Sequence, residues 1–195
     1  MKRIALSIAL HVAACVVLLA IPLADTTFAS ILYYSDVGGG GTINHANLDG
    51  SDSAVIVSNA GVPKGMAIDS VNEFLYWADL GGRIRRSGLD GTNLVDLVTG
   101  LDSPQDVELF GGKLYWTQVG KIQRANTDGT QVEDVVIGLQ YPQFLAIDEI
   151  NSRLFWAEDA PSGQTPATTD KIRRTNIPAS GTASPVDVIT GLDLT

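Results

Sequence analysis

Beyond residue 24 the apolar positions fall in short runs punctuated by Gly, Asp-Gly, Asn and Pro. No stretch there keeps a 3.6-residue apolar period over the roughly ten residues a helix needs, so the pattern predicts strands at close spacing. One run, Leu75-Tyr76-Trp77-Ala78-Asp79, is apolar on both faces, as a strand sandwiched between neighbouring sheets should be. It returns as Leu32-Tyr33-Tyr34-Ser35-Asp36, Leu114-Tyr115-Trp116-Thr117-Gln118 and Leu154-Phe155-Trp156-Ala157-Glu158. From Tyr34 the steps to Trp77, Trp116 and Trp156 are 43, 39 and 40 residues. A fixed period of about 40 residues marks a repeat architecture.

Each repeat divides into four strands. In the clearest copy these are Pro63–Asp69, Phe74–Asp79, 83–89 and 93–98. First strands recur at Pro104 and Pro142, and third strands at Ile43, Ile122 and Ile172. Asp49-Gly50, Asp90-Gly91 and Asp128-Gly129 predict tight type I′ hairpins, with φ > 0 at both central residues. The expected fold is all-β, with propeller blades of four antiparallel strands at 31–58, 63–98, 104–137 and 142–190. Residues 159–170, rich in Pro, Thr, Ser and Gly, lengthen the loop between strands two and three of the last repeat.

The first 24 residues differ in kind. Lys2 and Arg3 precede an apolar run from Ile4 to Leu23, with small residues at Ala24 and Ala29. This predicts a secretory signal peptide at 1–24, cleaved after Ala24 or Ala29. An uncleaved membrane anchor is the alternative, since the run approaches the length of a spanning helix. A lipoprotein signal at Cys15 fits less well, because His11 interrupts a short apolar run. Cys15 is the sole cysteine, so the mature chain would hold no disulfide and rest on its core. Removing residues 1–24 takes Lys2 and Arg3 from 13 basic residues and none of the 22 acidic ones, leaving a net charge of −11. That balance argues against nucleic acid or an anionic membrane surface as partner.

With Leu-Tyr-Trp-x-Asp at 75–79, Ile…Leu-Asp-Gly at 84–91 and Pro-x-Gly-x-Ala-x-Asp at 63–69, the chain resembles the YWTD-type propeller repeat. This is the low-density lipoprotein receptor class B repeat, and the resemblance covers about residues 31–195. It implies a non-enzymatic extracellular module, closed from six repeats, that presents its rims to protein ligands or assists their release. The resemblance makes Tyr34, Tyr76, Trp77, Asp79, Tyr115, Trp116, Phe155 and Trp156 structural, together with Asp49, Gly50, Asp90, Gly91, Asp128 and Gly129. Repeat one carries Tyr34-Ser35, repeats three and four end in Gln118 and Glu158, and Pro178-Ala179 replaces Asp-Gly in repeat four. The flanking cysteine-rich modules of animal members are absent. About four of six expected repeats are present. Three readings stay open: a truncated six-bladed propeller, which is favoured, an open arc, or a chain that pairs with another copy. Bare apolar blade faces predict self-association.

Catalytic chemistry finds little support. After the leader the one histidine is His45, at a position filled elsewhere by Arg86, Arg124 and Arg174, which reads as strand surface. Gly38 to Gly41 lacks the following helix and Lys of a phosphate loop. No cofactor is expected. Calcium at some of the first-strand acids Asp69, Asp106, Glu108 and Asp148 is the one metal the carboxylates admit, although Asp69 and Asp148 match in phase and suit a turn role. The tandem Arg85-Arg86 and Arg173-Arg174 are expected to pair with neighbouring acids. The function read from the residues is a secreted binding or scaffold module that contacts a protein ligand through rim loops. The candidate segments are 36–41, 80–82, 119–120 and 159–170, with Asp36, Leu80, Val119, Asp159 and Asp170 as contact residues. The rival is an extracellular or periplasmic propeller enzyme, a metal-assisted hydrolase or lyase.

Overall fold

In a computed structural model of the chain, residues 7–10, 14–22, 28–159 and 170–192 are described. The chain divides into two compact units, Met1–Gly100 and Leu101–Thr195. In the first, β1 (Ser7–Leu10), β2 (Ala14–Pro22), β3 (Phe28–Asp36), β4 (Thr42–Asn47) and β5 (Ala54–Ser58) form one antiparallel sheet in chain order. A second sheet holds β6 (Pro63–Asp69), β7 (Phe74–Asp79), β8 (Arg83–Gly88) and β9 (Val95–Thr99). In the second unit, one sheet is β10 (Asp106–Phe110), β11 (Lys113–Gln118), β12 (Lys121–Asn126) and β13 (Glu133–Ile137). The other is β14 (Tyr141–Asp148), β15 (Arg153–Asp159), β16 (Asp170–Asn176) and β17 (Val186–Leu192). The protein is all-β, built of antiparallel blades whose strands follow one another in sequence.

Two features differ from expectation. The first blade, expected to begin at residue 31, also takes in strands from before it. β2 pairs with β3 from Val16 opposite Tyr34 to Pro22 opposite Phe28, as β6 pairs with β7. An unpaired β3 edge would leave a row of N–H and C=O groups open, and pairing with β2 satisfies them. An apolar run of nine residues suits an inner strand as well as it suits a leader.

The Asp-Gly turns are not type I′. Gly50, Gly91 and Gly129 have φ of 82°, 81° and 84°, whereas Asp49, Asp90 and Asp128 stay outside the left-handed region. The Gly50 N–H closes the turn on the Asn47 carbonyl at 2.9 Å, so Gly is the fourth residue of the turn and not its third. The Asp side chain supplies the reason. Asp90 Oδ1 accepts from Thr92 N at 2.9 Å and from its Oγ1 at 2.7 Å, and Asp49 and Asp128 do the same with Ser51 and Thr130. The carboxylate holds the chain two residues ahead, and the left-handed positions fall on the Gly and on the residue two beyond it (Asp52, Asn93 and Gln131), not on the Asp.

The core lies between blades. In the first unit Tyr33, Ile43 and Val57 pack with Met66, Leu75 and Trp77. In the second, Tyr115, Ile122, Val135 and Val136 pack with Leu145, Leu154 and Trp156. Successive residues of a strand point to opposite faces. The first aromatic of the motif therefore meets the following blade of its unit, and the second meets the preceding one. Trp77 also donates from Nε1 to the Ala60 carbonyl at 3.0 Å, so its one polar atom is satisfied inside the core. Burying such a ring contributes on the order of 2–3 kcal/mol.

Candidate functional site

The loops expected to bind lie at the end of each blade where strand two passes to strand three. The motif's last residue governs their geometry. Asp79 is buried, and its Oδ1 accepts from Val62 N at 2.9 Å and Gly81 N at 3.0 Å. Its Oδ2 takes the Arg83 guanidinium at 2.5 Å. Burial opposes the charge on Asp79, but these donors outweigh it and hold the carboxyl below the usual carboxylate range. Gly61 (φ 83°) lies flat against this carboxylate, and a Cβ on Gly61 would collide with both carboxylate oxygens. The same role is played elsewhere by other chemistry. Gln118 Oε1 accepts from Asp102 N at 2.8 Å, and Glu158 Oε1 accepts from Gln140 N at 2.8 Å. Asp reaches the residue immediately before the blade's proline, whereas the longer Gln and Glu reach one residue further back. Both departures from the repeat's Asp thus keep its function, which is to tie the interblade loop to the blade.

The remaining candidates divide by exposure. Asp36 is exposed, with Oδ1 accepting from Gly38 N at 2.8 Å, and Gly38, Gly39 and Gly40 are exposed beside it. Leu80 and Val119 are half-buried, and their N–H groups are bound to the Val62 and Asp102 carbonyls, both at 3.0 Å. Asp159 is half-buried and accepts from Gln143 Nε2, while Asp170 is buried, so neither offers an open carboxylate. Residues 160–169 of the inserted loop lie outside the described residues. In the first unit the segment at Gly40 and Gly41 is hydrogen-bonded to Ala60 and Gly61, next to the Val62–Leu80 pair, so the two candidate loops of that unit share one end.

The first-strand acids do different work. Asp69 Oδ1 accepts from the N–H groups of Val71 and Asn72, both at 3.0 Å, and Asp148 Oδ1 caps Asn151 at 3.1 Å. Asp106 is buried between two strands. Its Oδ1 accepts from its neighbour Val107 N at 2.9 Å and its Oδ2 from Leu145 N at 2.8 Å, across to β14. A bulge makes this reach: the register of β14 slips between Gln143 and Leu145, and Phe144 takes φ 38°. Burial pushes Asp106 up to about 7. Glu108, next on the same face of β10, is half-buried and pushed up to about 8, first by burial and then by Asp106 and Glu149. Two carboxyls poised near neutrality are the one chemical feature that a search for catalysis would pick out. Among the described residues no group of three or more His, Cys, Asp or Glu side chains is placed to hold a metal ion.

Of the tandem cations, Arg85 and Arg173 pair with Asp96 and Asp187 at 2.7 and 2.8 Å, and Arg124, the phase-mate of Arg86, pairs with Glu133 at 2.7 Å. Arg86 departs from the expected acid pairing and stacks its guanidinium 4.1 Å from the Phe74 ring centroid. His45 lies opposite Tyr33 on β4, half-exposed, which is a strand-surface position. Sequence reasoning missed the Arg124 donations to the Pro178 and Ala179 carbonyls at 2.6 and 3.1 Å. No signal in the sequence marked them, since Pro178-Ala179 shares only the phase of the Asp-Gly turn.

Comparison with known proteins agrees with this geometry. A putative TolB from Agrobacterium tumefaciens matches with TM-score 0.65 at 14% identity, over 84% of this chain and 63% of that one. A luciferin-regenerating enzyme matches with TM-score 0.62 at 16% identity, over 96% and 82%. The blades are β-propeller blades. In sequence, the Vitellogenin receptor Yl of Drosophila melanogaster is 33% identical over 90 residues, which is 45% of this chain and 4% of the receptor. The chain thus matches only a small part of that receptor's length. No family model matches the chain.

Proposed function

We propose that the protein is an exported, non-catalytic propeller module that binds a protein partner through the loops at one end of its blades. The observation that carries this reading is the occupation of its acids. Asp79, Glu158, Asp69, Asp148 and Asp106 all accept backbone N–H groups. Carboxylates committed to backbone donors are poorly free to act on a substrate, and the bonds of Asp79 and Glu158 also hold the interblade loops beside the candidate segments. Rigid loops lose less entropy on binding and make better contact surfaces. Export rests on the pattern of residues 1–24, and binding on the resemblance to the receptor repeat. Among the described residues no helix is long and apolar enough to cross a membrane.

The test is retention of an extracellular protein by the immobilised full chain, set beside chains in which 36–41 is shortened or 160–169 deleted. A partner held by the parent and lost from a loop variant is the expected result. Retention indifferent to both loops would contradict the reading.

A propeller enzyme is the second reading. It is favoured by Asp106 and Glu108, whose carboxyls sit near neutrality, and by the fold shared with the luciferin-regenerating enzyme. Against it, both oxygens of Asp106 are already taken by backbone donors.

A further inference from the structure

We propose that the blade β14–β17 docks the first blade, at β3–β5, of a second copy of this chain, head to tail, by repeating the contact that joins neighbouring blades within each unit. Phase-matched positions carry the inference. On the face that meets the following blade, Tyr33 and Tyr115 are buried, and so are Ile43 and Ile122 with their cross-strand partners Val57 and Val136. Their counterparts in the last blade are Phe155, Ile172 and Ile189. Phe155 and Ile172 are only half-buried, and Ile189 is 49% exposed. Ala146, beside Phe155, is exposed where its counterpart Ala67 is buried.

The first blade shows the reverse deficit on its opposite face. The residue before each Asp-Gly phase packs onto the preceding blade. Leu89 joins the cluster of Tyr33 and Trp77, and Ile177 joins that of Tyr115 and Trp156. Leu48, the same position in the first blade, is 59% exposed. Tyr34, in the place of the fully buried Trp77, is half-exposed. An apolar face of this extent in need of cover marks an interaction surface.

Polar groups match as well. Arg124 donates to the carbonyls of Pro178 and Ala179, and Tyr33 to that of Leu89 at 3.3 Å. Arg174 stands opposite Phe155 as Arg124 stands opposite Tyr115. It lines an open hollow of about 320 Å³ with Thr175, Pro178 and Val186, and among the described residues it makes no ion pair. Asp49 and Gly50 hold the phase of Pro178 and Ala179, so the carbonyls of that turn in a second copy are what the Arg174 guanidinium fits. The occupant is therefore a copy of this chain, because the exposed face of its last blade carries the donors and that of its first blade the apolar knob and the turn. Such a contact is heterologous and propagates into a ring or a filament.

Sedimentation velocity of the full chain up to ~100 μM, a range that detects a weak standard-size contact, tests the proposal. The parent is expected to form species larger than a dimer. Leu48→Glu and Ile189→Glu, each exposed and each checked for an unchanged thermal unfolding midpoint, should separately weaken association at least about tenfold. Arg174→Ala serves as a second probe of the same face. The decisive arm is the equimolar mixture of Leu48→Glu with Ile189→Glu. Each retains one intact face, so the mixture should stop at a dimer. A monomeric parent overturns the proposal, as would a downstream blade or an unrelated protein being the true cover. Association that survives both variants, or a mixture that fails to dimerise, also overturns it.

Discussion

The carboxylate of Asp106 accepts the backbone N–H of Leu145 at 2.8 Å, joining the first strands of two neighbouring blades. A charge-capable side chain in a sealed position is costly unless its oxygens are bonded, and here both are. Asp106→Ala would leave two buried donors without an acceptor. It should lower unfolding free energy by about 1–3 kcal/mol, read from the urea midpoint at unchanged m-value.

The pH dependence follows from the same pair. Asp106 moves from 3.8 to about 7 on folding, and Glu108 from 4.5 to about 8. A carboxyl with a raised folded pKa binds more protons folded than unfolded, so stability falls as pH rises between the two values. The contribution is whole below about pH 4, is lost progressively up to about pH 8, and is flat beyond. Urea midpoints measured from pH 4 to pH 9 should decline across that interval. Glu108→Gln should flatten the upper part of the decline, and an unchanged slope would show that Glu108 is not the group responsible.

Asp79→Ala removes acceptors from Val62, Gly81 and Arg83 together. Arg83 is half-exposed and can turn to solvent, so the cost is that of the two backbone donors left without their acceptor, about 1–3 kcal/mol each. The loss should appear in thermal unfolding, with faster amide exchange at residues 61–62 and 80–82. Gln118→Ala, with a neutral amide in that role, should cost less, about 1–2 kcal/mol.

Trp77→Ala and Trp156→Ala each empty a core position between blades and should cost about 3–5 kcal/mol by chemical denaturation. Trp77 has the larger expected effect, because the Ala60 carbonyl also loses its donor.

Removal of residues 1–24 would take away β2, the partner of β3. Hydrogen exchange should then accelerate at residues 28–36, with little change in β7 or β11. Equal protection of 28–36 in both chains would show that β2 is not what holds that edge.

Much of the fold was legible in the sequence because the repeat gave the same answer several times. The Tyr-Trp strand, its turn and the Arg-bearing third strand recur in phase, and β6, β7 and β8 begin at the residues the pattern marks. The turn type was not legible. An Asp-Gly pair suits a type I′ hairpin, and only the hydroxyl two residues on, at Ser51, Thr92 and Thr130, signals that the Asp side chain caps the turn instead. The strand at Ala14–Pro22 was hidden because an apolar run satisfies both a leader and an inner strand. The site was less legible than the fold. That Gln118 and Glu158 keep the role of Asp79 depends on a reach of one residue, which no spacing rule reveals. The raised acids Asp106 and Glu108 owe their state to burial against β14, a long-range contact.

The absence of catalysis is the part of the proposed function most directly open to measurement. The purified full chain would be assayed with and without calcium against lactone, ester, phosphoester and glycoside substrates, beside Glu108→Gln and Asp106→Asn. No turnover above buffer for any of the three is the expected result. Turnover by the parent that disappears in either variant would contradict the binding-module reading and make Asp106 and Glu108 the centre of an active site.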